Sequence, residues 1–70
     1  MAELKAPALL DFEARWGHHT GAKELAIMDD LDMRPARYYQ LLTRAARSLD
    51  GIAHDPMTCR RVRDETATAA

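Results

Sequence analysis

The chain has 70 residues with 47% hydrophobic and 30% charged positions and a net charge of −1. That is enough for one small domain, too short for a large enzyme core and too apolar for a disordered segment. A domain of this size buries only about 60% of its unfolded surface, so its stability is marginal unless helices pack well or a partner helps.

No run of alternating β-branched or aromatic residues occurs, and Val and Ile together number three, so strands have no local support and the fold class is all-α. From Pro7 onward Leu9, Phe12 and Trp16 recur at helical spacing opposite Asp11, Glu13 and Arg15, which predicts a first amphipathic helix ended by Gly17. Trp16 reads as a buried anchor of the core. After the polar break His18-His19-Thr20-Gly21, Thr20 caps a second helix over 22–31 with Glu24 in its first turn. Its apolar set Leu25, Ala26, Ile27, Met28 and Leu31 covers more than one face, so this helix is expected as a central packing element. Asp29, Asp30 and Asp32 crowd its C-terminal end against the helix dipole, with Arg34 or Arg37 as the compensating cation.

Pro35 restricts Arg34 and opens a third helix. Over 35–49 it places Tyr38, Leu41, Leu42, Ala45 and Leu49 on one face and Arg37, Gln40, Arg44, Arg47 and Ser48 on the other. Tyr38 and Tyr39 lie about 100° apart, Tyr38 inward and Tyr39 outward. Asp50-Gly51 ends the helix, Ile52 tucks into the core, and Asp55-Pro56 starts a fourth helix that reaches about Asp64. The result is a compact bundle of about four helices: one domain over 1–65, with a helix-turn-helix unit at about 22–48 and a flexible tail at 66–70.

The near-neutral total conceals two halves of opposite sign. Residues 1–33 hold Lys5, Arg15 and Lys23 against seven carboxylates, whereas residues 34–63 hold seven arginines against Asp50 and Asp55. In a helix-turn-helix the second helix lies in the major groove. Its outward residues here are Arg34, Arg37, Tyr39, Gln40, Thr43, Arg44 and Arg47. Arg forks onto guanine, Gln bridges adenine, and Tyr and Thr hydroxyls reach phosphates. Arg60 and Arg61, with Arg63, form a second basic cluster that either grips adjacent phosphates or complements the C-terminal dipole of the fourth helix. Asp32 stands where such turns often carry glycine, and aspartate tolerates left-handed backbone geometry better than most residues.

Trp16, Gly21-Ala22-Lys23-Glu24 followed by Ala26-Ile27, Arg37-Tyr38-Tyr39-Gln40-x-Leu42, Asp55-Pro56-Met57 and Arg60-Arg61 resemble short actinobacterial and mycobacteriophage proteins of unknown function. The resemblance covers roughly 9–63, with the tyrosine pair and its flanking arginine as the most specific element, and it implies a helix-turn-helix-like core.

Cys59 has no second cysteine to pair with, and neither a signal peptide nor a long apolar stretch is present, so a cytoplasmic chain without membrane contact is expected. His18, His19, His54 and Cys59 lack metal-ligand spacing, and no nucleophile motif or Gly-rich phosphate loop occurs. No catalytic residue, metal or cofactor is therefore expected. The residues point to a small transcriptional or phage regulatory factor that binds double-stranded DNA as a homodimer. The alternative is a protein-interaction module or homodimeric adaptor that keeps the helix-turn-helix fold without DNA binding, its acidic first half facing a basic protein partner and the outward apolar residues of the second helix forming an interface.

Overall fold

The computed structural model describes residues 4–69, with side chains described up to residue 67. Five helices follow one another: α1 (Ala6–Trp16), α2 (Gly21–Leu31), α3 (Pro35–Arg47), α4 (Leu49–His54) and α5 (Pro56–Ala69), with no strand among the described residues. The all-α class holds, with one helix more than the sequence pattern indicates.

The helix ends have local causes. Gly17 closes α1 at φ 66°, donating its N–H to the Glu13 carbonyl over 2.9 Å. Thr20 Oγ1 accepts the Lys23 N–H at 3.1 Å and caps α2. Asp32 ends α2 in the left-handed region at φ 52° and ψ 47°. Arg34 is extended ahead of Pro35, as the proline ring requires. Asp55 accepts the Thr58 N–H at 3.0 Å and the Thr58 hydroxyl at 2.6 Å, bonds that hold its carboxyl below the usual aspartate value.

α3 is the central element and packs on each of the other four helices. Tyr38, Leu41, Leu42, Ala45 and Ala46 meet Leu9, Leu10 and Phe12 of α1, Ala26 and Ile27 of α2, and Cys59 and Val62 of α5 in one core. The Phe12 and Tyr38 rings meet edge to face with centroids 5.5 Å apart, a preferred aromatic geometry.

Several expectations are corrected. α2 is peripheral rather than central: it turns Ala26 and Ile27 inward, while Leu25 and Met28 are 59% and 43% exposed. Trp16, the last residue of α1, is 38% exposed rather than buried, its ring centroid 6.0 Å from that of Phe12. Among the described residues no ion pair reaches Asp29, Asp30 or Asp32. The expected run of one helix to Leu49 is broken at Ser48, whose hydroxyl donates to the Ala45 carbonyl and accepts the Gly51 N–H, both at 2.9 Å. That switch of direction leaves Leu49 and Ile52 exposed rather than in the core. At the other end α5 continues through Ala69, the Thr66 hydroxyl bonding the Val62 carbonyl at 2.8 Å, so residues 66–69 of the expected tail are helical. Ala70 lies outside the described residues.

Gly51 is therefore not a helix stop. A Cβ built there would lie 2.0 Å from the Ala45 carbonyl oxygen, whereas Gly21 has open space around it. Glycine normally costs a helix about 1 kcal/mol relative to alanine. Gly21→Ala is expected to stabilise the domain by about 0.5–1 kcal/mol. Gly51→Ala should reverse the sign and cost about 3 kcal/mol, at the upper end of overpacking penalties. Urea unfolding followed by circular dichroism measures both.

Candidate nucleic-acid interface

Because α3 packs on several neighbours, only a narrow part of its surface meets solvent. Arg37, Gln40, Arg44 and Arg47 are all exposed. At about 100° per residue they fall within an arc roughly 80° wide. Ala36 borders it, Arg34 sits exposed at the N-cap, and α3 contains no Asp or Glu. Arg37 Nη1 donates to Gln40 Oε1 at 3.4 Å, within the stripe itself. The three-residue connection 32–34 precedes this helix, so α2, turn and α3 follow in the expected order.

The other sequence-selected residues lie apart from the stripe. Tyr39 is half-buried: its hydroxyl hydrogen-bonds His19 Nδ1 at 2.7 Å, and the Lys23 ammonium stands 5.3 Å from its ring centroid. Burial pushes the Tyr39 phenol above its ordinary value. The Thr43 hydroxyl donates to the Tyr39 carbonyl at 2.8 Å, a bond within α3. Arg60 is exposed, but Arg61 donates to Glu13 Oε2 and to Glu65 Oε1, each at 2.9 Å. Arg63 donates to the Ala46 carbonyl at 3.0 Å, so it complements the C-terminal end of α3 and not that of its own helix, which runs six residues further.

A buried charge cluster joins α3 to its neighbours. Glu13 and Lys23 are 2% and 1% exposed. Glu13 Oε1 accepts from Lys23 Nζ and from the Tyr38 hydroxyl, both at 2.7 Å, while Oε2 accepts from Arg61. Lys23 also donates to the Gly17 carbonyl at 2.8 Å. One carboxylate thus ties α1 to α2, α3 and α5, and no buried side-chain polar atom among the described residues lacks a partner. Burial alone would raise the Glu13 carboxyl, but the hydrogen bonds from Lys23 and Tyr38, the Lys23 charge and the Arg61 bond together hold it below its usual value. Burial, and then the Glu13 carboxylate, push the Tyr38 phenol far up. Sequence reasoning placed Glu13 on the polar face of the first helix and gave Lys23 no structural role. The available signal was their spacing, since Glu13 follows Leu9 and Leu10, and Lys23 precedes Ala26 and Ile27, at three- and four-residue intervals.

A family model described as a protein of unknown function, DUF3263, matches residues 3–69. The chain belongs to the DUF3263 family. No curated protein and no solved structure matches it. The family match spans α1 to α5, and with them the buried cluster and the arginine stripe. Among the described residues no helix is long and apolar enough to cross a membrane.

Removing one partner from a buried ion pair typically costs about 3–5 kcal/mol. Lys23→Met is expected in that range, and Glu13→Leu/Lys23→Met should cost less than the sum of the single changes, as a double-mutant cycle in urea will measure. The Glu13 carboxyl is lowered on folding, so its contribution is complete above about pH 4.5 and is lost as pH falls through the lower folded value. Tyr38 has the opposite dependence: its phenol is raised, so its contribution is present below about pH 10 and is lost at higher pH. Absorbance at the phenolate band should show Tyr39 ionising in the folded protein and Tyr38 only as the helices unfold.

Proposed function

We propose that the chain is a small DNA-binding protein in which α2, the 32–34 connection and α3 act as a helix-turn-helix. The exposed stripe of α3 carries this reading: Arg37, Gln40, Arg44 and Arg47 form a cationic ridge on a helix that contains no Asp or Glu and packs on all four of the others. Arg34 and Arg37, at the N-terminal end, suit base edges and nearby phosphates, with Gln40 positioned behind them, and Arg44 and Arg47 suit the flanking backbone. The likeness of the Arg37-to-Leu42 segment to short actinobacterial and phage proteins with a helix-turn-helix-like core supports the same reading. A module this small offers few contacts, so binding as a dimer on paired half-sites is part of the proposal, as is a role in transcriptional regulation in the cytoplasm.

Fluorescence anisotropy with a labelled mixed-sequence duplex tests it. With about four phosphate-neutralising arginines, raising salt from about 50 mM to about 200 mM should weaken binding roughly 100-fold. Arg37→Ala/Arg44→Ala, both at exposed positions, should retain the helical spectrum and lower the salt slope by about two. Absence of binding at the lower salt, or unchanged binding by the double variant, overturns the proposal.

A further inference from the structure

The burial of Lys23 has a second effect, on the outside of α2. Lys23 is the sole basic residue of this helix and points inward, so the charged side chains that α2 leaves exposed beside Leu25 and Met28 are carboxylates. At 100° per residue, Leu25, Met28 and Asp29 fall within an arc of roughly 100°, and Asp32, the C-cap, follows four residues after Met28. All four are exposed. Leu25 and Met28 are one helical turn apart, the spacing of paired anchors in helix-in-groove contacts. We infer that this outer face of α2 is a docking surface for a basic amphipathic helix of a partner protein, its apolar side chains seated on Leu25 and Met28 and its Lys or Arg residues on Asp29 and Asp32.

Charge and shape decide the occupant. Nucleic acid is repelled by Asp29, Asp30 and Asp32, and among the described residues no ion pair neutralises them. A second copy of the chain fits poorly. Its α3 stripe is basic but has no side chain larger than Ala36 to fill an apolar contact, and its exposed Leu49, Ile52 and Met57 are interleaved with Asp50 and Asp55. A helix with an apolar seam edged by cations matches both properties, and opposite charge along the rim also accelerates encounter. The α2 contact involves a different helix from the arginine stripe and does not depend on DNA.

The test uses an amphipathic Leu/Lys peptide of about 18 residues, long enough to become helical on docking. Two controls accompany it: a scrambled peptide of the same composition and a Leu/Glu peptide. Backbone amide shifts of the full chain report where the peptide sits. The expected result is binding of the amphipathic Leu/Lys peptide at least about tenfold tighter than either control, with shifts centred on residues 21–32. Leu25→Ser/Met28→Ser and, separately, Asp29→Asn/Asp32→Asn should each weaken it by about tenfold or more. Asn tolerates the left-handed backbone at position 32, so the second variant retains the α2 end. Equal binding of the scrambled peptide would reduce the contact to general charge attraction and overturn the inference. Shifts centred on α3 or on Leu49 and Met57, or α2 shifts that appear on concentrating the protein alone, would overturn it as well.

Discussion

The buried carboxylate of Glu13 is the constraint on which the arrangement of this domain rests. It brings one negative charge from α1 into contact with Lys23 of α2, Tyr38 of α3 and Arg61 of α5. A charge with so little solvent is tolerable only when its acceptor sites are filled by charged or strongly polar donors, and here ammonium, phenol and guanidinium fill them. The geometry is demanding: the donors come from three helices, and a shift of any of them by one turn would leave a buried ion exposed to low dielectric without a partner. Apolar packing of Leu10, Ile27 and Leu42 supplies cohesion without direction, whereas the Glu13 cluster specifies which helix lies against which.

That specification settles how the charges of the chain are spent. Of the arginines on α5, Arg61 is drawn into the cluster and Arg63 to the end of α3, so they act between helices. The α3 arginines have no carboxylate on their own helix and stand together on its exposed side. On α2 the inward turn of Lys23 removes positive charge from the surface and leaves Leu25 and Met28 among aspartates. A chain of almost zero net charge thereby acquires one basic face and one acidic, apolar face on consecutive helices. Steering of oppositely charged partners depends on such local fields rather than on the total.

Much of the secondary structure was legible residue by residue, because its signals are local. Gly17, Thr20, Asp32, Pro35 and Asp55 each act through backbone geometry or a hydrogen bond that spans at most four positions. The inward placement of Tyr38, Leu41, Leu42 and Ala45 followed from helical periodicity. Where periodicity misled, a neighbour was the cause. Leu49 continues the apolar face of α3 in sequence, but the Ser48 hydroxyl competes for the backbone there and starts a new helix. Leu25 and Met28 are apolar enough for a core, yet α2 lies at the rim of the bundle and has no helix to place over them. The arginine stripe was half legible. Spacing selected Arg37, Gln40, Arg44 and Arg47, but it could not separate them from Tyr39 and Thr43, which pack toward the flank, or from Arg61, which reaches inward.

By itself, then, the sequence determined the helical class, most helix boundaries, the inward face of α3 and the concentration of arginine in the second half of the chain. These depend on interactions within a few residues, where the side-chain pattern and the backbone preferences of Gly, Pro, Thr and Asp are sufficient. Tertiary structure alone decided that Glu13 and Lys23 are buried, that α3 rather than α2 is central, and which arginines reach solvent. Those outcomes depend on contacts such as Glu13 with Tyr38 and with Arg61, separated by 25 and 48 positions along the chain, where no local preference carries the information.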